Sequence, residues 1–213
     1  MQIGIAKATK DGSKVSGDTS IQTRLEDGKY LLAISDGKGS GEEAKKSSKM
    51  ATDMLEELLT SGFKHNTSIK LINSTLAGVM QEDMFATLDI TILDLYAENM
   101  EFIKNGACPS YVKSGKNVQI LKSDSMPTGI LNNIDLVIYD KDIRKNDIIV
   151  MCSDGITDSD KNYQNKELWL KYLLEEINTD DVQKIADVII SEAIDNDYGI
   201  EKDDMTVIVA KVC

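Results

Sequence analysis

The chain of 213 residues is short of the side chains that most catalytic schemes need: it has one histidine, three cysteines, two prolines and one tryptophan. A Ser-His-Asp or Cys-His nucleophile requires a histidine. The single one, His65, stands in Gly62-Phe63-Lys64-His65-Asn66, a polar connection between two helical segments where a solvated loop side chain is expected. Histidine-based zinc sites fail for the same lack. Cys108, Cys152 and Cys213 are widely spaced and form no CxxC pair. That excludes a disulfide scaffold and a structural zinc site, and points to a reduced, cytoplasmic setting. No run approaches ~18 consecutive apolar residues, so no membrane span is expected in this chain. The opening Met-Gln-Ile-Gly-Ile lacks the basic and apolar regions of a secretory signal. Neither GxGxxG nor the GxxxxGK-Ser/Thr of a P-loop is present. Positive charge is also short, with 24 Lys+Arg against 36 Asp+Glu and a net charge of −12, which argues against a nucleic-acid partner.

What is present is an ordinary globular composition, 41% hydrophobic and 28% charged, without repeats, low-complexity runs or a linker. A single domain over residues 1–213 is expected. Strand patterns cover Met1–Ala8, Lys29–Ser35, 88–95, Met100–Lys104, Ser110–Val112, Val118–Leu121, Asp135–Tyr139, Asp147–Ser153 and Met205–Val212. Amphipathic helices are expected over 42–60, with a capping box from Ser40 and Glu43, and over Ser68–Met80, Glu167–Ile177 and Val182–Asn196. In the third, Leu170 or Tyr172 belongs to the apolar face. Strands follow one another and the helices come in two pairs, without βαβ alternation. The fold class is therefore α+β, a four-layer α-β-β-α sandwich of two antiparallel sheets flanked by helix pairs. Trp169, Cys108 and Cys152 read as core residues. Met50, Met54, Met80 and Met84 are either core filler or an adaptable contact surface.

The chemistry lies in aspartates at the ends of apolar strands. LLAIS runs into Asp36-Gly37, IIVMCS into Asp154-Gly155, and Asp203-Asp204 leads into MTVIVA. A buried strand does not hold an unpaired carboxylate, whereas at a sheet's rim the same group meets water or a cation. Glycine after the carboxylate allows a sharp turn and a close approach of its own carbonyl to a ligand. Rim carboxylates converging with a carbonyl suit a hard divalent ion, Mg²⁺ or Mn²⁺. Asp11-Gly12 and Asp27-Gly28, with no buried strand leading in, are ordinary turns. Gly37-Lys38-Gly39-Ser40-Gly41 opens a helix and is either an anion-binding N-terminus or a flexible turn and cap.

SGD at 16–18, AISDGKGSG at 33–41, MCSDGITD at 151–158 and DDMTVIV at 203–209 resemble, in order, the signature elements of the metal-dependent PPM (PP2C-type) serine/threonine protein phosphatases. TLDITILDL (87–95), NGACPSYVKSG (105–115) and MPTGI (126–130) resemble the intervening strands of the bacterial branch typified by stage II sporulation protein E. The likeness spans essentially the whole chain. It implies that Asp36 bridges two Mn²⁺ or Mg²⁺ ions, with the Gly37 carbonyl on one of them. Asp154 and Asp203 match ligands of the second ion, and Asp18 matches the aspartate that orients the attacking water. It further implies hydrolysis without a covalent intermediate, and as substrate a phosphorylated STAS-type anti-sigma-factor antagonist in sigma-factor control during sporulation. Relatives of this branch carry membrane-spanning and regulatory regions ahead of the domain, so the parent protein is expected to be membrane-anchored.

The chain departs from the family at three points. No Arg precedes Arg24 to grip the phosphate, Gly17 precedes Asp18, and Asp203-Asp204 stands for the common Asp-Asn. Lys38 or Gly39 of the glycine-rich loop are the remaining candidates for the substrate phosphate. The helix pair at 42–80 is the region implicated, in that branch, in switching and in self-association as a homodimer. Moving the first helix, through Ala51 or Leu55, would drag Gly37 and change one ion's occupancy; the alternative is that the pair merely packs on a sheet. Two competing functions are an aspartyl nucleophile at Asp36, whose DxDx pattern is broken by Lys38, and a non-catalytic partner-binding module of the same fold.

Overall fold

The computed structural model describes residues 1–78, 84–130, 136–159 and 165–213. Among the described residues, ten strands and five helices follow in the order β1 (Gln2–Ala8), β2 (Asp18–Arg24), β3 (Tyr30–Asp36), α1 (Gly41–Thr60), α2 (His65–Gly78), β4 (Leu88–Asp94), β5 (Asn99–Asn105), β6 (Ser110–Ser114) and β7 (Asn117–Leu121). Then come β8 (Val137–Asp142), β9 (Ile148–Cys152), α3 (Asp154–Thr157), α4 (Leu168–Glu176), α5 (Val182–Asn196) and β10 (Met205–Lys211). All sheet pairings are antiparallel, in two five-stranded sheets of order β1-β10-β9-β6-β7 and β2-β3-β4-β5-β8. The α+β class holds. The chain forms two compact units, a terminal unit of residues 1–14, 108–122 and 143–213 and a central unit of 15–107 and 123–142.

In the central unit, α1 and α2 lay Ala51, Leu55, Leu59, Ile69, Ile72 and Leu76 on the sheet face made by Leu31, Ala33, Leu88, Ile90 and Ile103. By the two-residue alternation of strands, Leu32, Ile34, Asp89, Thr91, Phe102 and Lys104 belong to the other face, which is also closed to solvent. In the terminal unit, Leu170, Leu174, Ile185, Ala186 and Ile189 of α4 and α5 pack on Val150, Val207 and Val209. Leu170, not the half-exposed Tyr172, takes the buried place in α4. The helix ends are held by side chains. Asp181 caps α5 by accepting from the Gln183 and Lys184 backbone N–H groups at 3.1 and 3.2 Å. Lys113 closes α4, its ammonium donating to the carbonyls of Leu174 and Ile177. Gln183 also covers the open edge of β1, exchanging hydrogen bonds with the Ile5 backbone at 3.1 and 2.9 Å.

Several local expectations are corrected. The strand β2 is absent from the sequence reading because DTSIQTR is polar and half exposed, lacking the apolar run that signals a buried strand. The second helix starts at His65, and its expected end at Met80 lies outside the described residues, as does Asp135 at the start of the expected seventh strand. Ser40 occupies the N-cap of α1 in extended backbone but makes no capping bond through its side chain, so the Ser40/Glu43 capping box does not form. Met50 and Met54 pack against the central core.

Candidate metal centre

Each unit ends its strands in carboxylates. In the central unit Asp18 opens β2 and Asp36 closes β3, directly opposite one another in the ladder. Asp18 is 1% exposed and Asp36 partly so. Opposed like charges on neighbouring strands are unfavourable in the absence of a cation. The Asp36 backbone is braced by Thr87, whose hydroxyl accepts the Asp36 N–H at 2.9 Å. The Thr87 N–H donates to the Asp36 carbonyl at 2.8 Å, and Ser35 Oγ to the Thr87 carbonyl at 2.7 Å. The brace continues one step along the chain through a bridge between Gly37 and Ala86, and from Ala86 to Thr128.

Gly37 has no room for a side chain. A Cβ there would lie 1.9 Å from the Ala44 carbonyl oxygen and 2.5 Å from Ser47 Oγ, both on the first turns of α1. The same helix holds the other carboxylate strand. Ser48 Oγ donates to the Gly17 carbonyl at 2.5 Å and pairs with Thr19 Oγ1 at 2.9 Å, while Lys45 Nζ donates to the Asp18 carbonyl at 3.3 Å. α1 thus sets the positions of Asp18 and Gly37 together. Ala51 and Leu55, one and two turns further on, are fully buried beneath it. Lys38 lies with its ammonium 5.1 Å from the centre of the Phe85 ring, and nothing stands within 4 Å of a Cβ built on Gly39.

In the terminal unit β9 delivers Ser153 to the start of α3, where Asp154 begins the single turn. Gly155 is pressed against the last loop so closely that a Cβ would sit 2.2 Å from the Asp204 carbonyl oxygen. The Ser153 N–H donates to the Thr206 carbonyl at 3.0 Å, and the Thr206 N–H to Ser153 Oγ at 2.9 Å. Burial, then the charge of Asp203, then that of Asp158, push the Asp154 carboxyl above the usual carboxylate range. Asp204, standing for the family's Asn, has a structural use: its Oδ1 accepts the Lys10 N–H at 3.0 Å, and its own N–H donates to Asp203 Oδ1 at 2.9 Å.

The donor chemistry fits a hard cation. The groups are aspartate oxygens and a glycine carbonyl, and in each unit negative charges are held against one another. Among the described residues, no three His, Cys, Asp or Glu side chains converge as a preformed cage. The structure pairs Asp18 with Asp36–Gly37 in one unit and Asp154 with Asp203 in the other. His65 is not a solvated loop residue: it opens α2 with Nδ1 3.4 Å from Glu101 Oε2, and shares with Lys29 and Phe63 the wall of a cavity of about 820 Å³. Sequence reading missed Thr87, Ser48 and Lys45 as supports of the site. Thr87 does open the TLD stretch, but nothing in a lone sequence marks its hydroxyl as a brace.

The chain matches the family model for stage II sporulation protein E (SpoIIE) over residues 26–213. It is 38% identical over 209 residues to stage II sporulation protein E of Priestia megaterium, and 37% identical to that of Bacillus subtilis (strain 168). The chain belongs to the stage II sporulation protein E family. The matched region covers 98% of this chain but 36% and 25% of those two proteins, so the chain spans about a third or less of their length. Among solved structures, the PP2C phosphatase domain of Bacillus subtilis SpoIIE with a fragment of its regulatory domain superposes with a TM-score of 0.91 at 37% identity, covering 99% of this chain and 61% of that one. Stp1, a serine/threonine phosphatase from Staphylococcus aureus, shares the fold at a TM-score of 0.82 and 18% identity, covering 100% of this chain and 95% of that one. The chain has the fold of that PP2C phosphatase domain, with two antiparallel sheets and helix pairs among the described residues. No helix among the described residues is long and apolar enough to cross a membrane.

Proposed function

We propose that the chain hydrolyses phosphoserine or phosphothreonine on a protein, with Asp36, the Gly37 carbonyl, Asp154 and Asp203 holding two Mn²⁺ or Mg²⁺ ions. Two bound divalent ions supply a water of lowered pKa and neutralise the phosphoryl oxygens. Asp18, buried beside Asp36, orients the attacking water by accepting its hydrogen bond. Thr87 fixes the Asp36 backbone so that its carboxylate needs no reorganisation. The scarcity of histidine and cysteine in the sequence, one and three residues, supports direct attack by water without a covalent intermediate. The observation that carries the reading is the opposition of Asp18 and Asp36 across one ladder, in a chain of a PP2C phosphatase family.

Membership of the sporulation family supports a phosphorylated STAS-type anti-sigma-factor antagonist as substrate, in a single cytoplasmic catalytic domain of a membrane-anchored parent. The contact of Gly37 with α1 supports a switching role for that helix, with Ala51 and Leu55 as its seat, and the α1–α2 pair as the surface for a homodimer. The deciding experiment is phosphate release from a phosphoserine protein under Mn²⁺ and Mg²⁺ titration with an EDTA control. Asp36→Asn and Asp154→Asn run alongside. Metal-dependent release that both variants lose is the expected result; release that persists in EDTA overturns it.

A further inference from the structure

A phosphatase needs a cation for the substrate's phosphate, and no arginine precedes Arg24 in this chain. We propose that Lys10 is the residue that receives the phosphate group, an assignment that rests on the metal-dependent phosphatase reading. Lys10 follows β1 in a turn closed by the Ser13 N–H on its carbonyl at 2.9 Å. This turn is fastened at two further points to the segment leading into β10. The Asp11 N–H donates to the Glu201 carbonyl at 2.7 Å, and the Lys10 N–H to Asp204 Oδ1 at 3.0 Å. Asp204 is in turn seated against Gly155, next to Asp154. The backbone of Lys10 is thereby fixed to the loop that presents Asp203, and its ammonium lies 3.9 Å from Asp203 Oδ1.

Stability does not account for that placement. The pair is solvent-exposed, and exposed ion pairs add little to folding. An ammonium beside a metal-ligand carboxylate also competes with the ion for its charge. A dianionic phosphate reverses the balance, because lysine binds phosphate as a mobile point charge. Other lysines of the same unit are engaged more closely. Lys166 Nζ is held by Asp158 Oδ2 at 2.6 Å, and Lys202 by Asp197. At 3.9 Å and 42% exposed, the Lys10 side chain can turn from Asp203 to a ligand.

The test compares wild type, Lys10→Met and Lys10→Arg in three readings: Mn²⁺ binding by calorimetry, inorganic phosphate binding to the Mn²⁺-saturated protein, and kcat/KM on a phosphoserine peptide. Lys10→Met should weaken phosphate binding about 10-fold, which is about 1.4 kcal/mol, and lower kcat/KM at least as much. Its Mn²⁺ binding should be equal or tighter, and Lys10→Arg should keep phosphate binding. Unchanged phosphate binding in Lys10→Met overturns the proposal. So does a fall in Mn²⁺ affinity that accounts for the loss, since that would make Lys10 a loop brace. A wild type that binds Mn²⁺ and phosphate but releases no phosphate from the peptide refutes the phosphatase reading, while the phosphate titration still decides Lys10.

Discussion

Lys104 Nζ lies 2.8 Å from Asp89 Oδ1, with the two residues opposite one another on β5 and β4 and both side chains sealed from solvent. A buried pair of this kind costs nearly as much to desolvate as it returns, but leaving one partner alone is far worse. Lys104→Met should therefore destabilise the domain by about 3–5 kcal/mol. The double variant Asp89→Leu/Lys104→Met should recover most of the loss. Urea unfolding of the three proteins checks this.

Gly37→Ala sets a methyl group against the Ala44 carbonyl, and backbone oxygen has nowhere to go. The first turn of α1 or the Asp36 loop must shift. The expected outcome is a loss of metal-dependent phosphate release of at least about tenfold, with ~1–3 kcal/mol of overpacking strain. Gly78→Ala is the control. It lies in α2 with nothing within 4 Å of a Cβ, and should stabilise by about 0.4–1 kcal/mol without touching activity.

Thr87→Val keeps the shape of the brace and removes the oxygen that accepts the Asp36 N–H. Stability should fall by about 1–2 kcal/mol, the cost of stranding that donor. Mn²⁺ affinity and turnover should fall together. Thr87→Ser restores the oxygen and should restore both, which separates a lost hydrogen bond from a lost methyl contact.

Leu55→Gln unseats α1 from its sheet, where the side chain is fully buried. Because α1 also holds Gly37 and the strand of Asp18, Mn²⁺ affinity and phosphatase activity should change in parallel. Metal titration of the variant beside wild type checks it, and unchanged metal dependence would mean that the helix only packs.

The strands that lead into Asp36 and Asp154 were legible because buried β3 and β9 read as unbroken apolar runs. Helix α5 was legible to the residue, since its apolar face is regular. β2 was not, although it carries Asp18, because a polar strand is recognisable only through its partner β3. Nor was the structural work of Asp204, because a carboxylate accepting a backbone N–H from Lys10, far away in sequence, leaves no local trace. His65 went wrong for the converse reason: its polar neighbours spell a loop, while Glu101, distant in sequence, fixes its place.

β1 pairs residue for residue with β10, Gln2 opposite Lys211. On a ribosome, which emits about 5–20 residues per second, the strands of the central unit can all be complete while β10 is still unmade. β1 then waits for its neighbour, an apolar strand with an edge that the finished fold never shows. The order of synthesis makes the first strand the last to be satisfied, and makes this the interval in which a chaperone has something to hold.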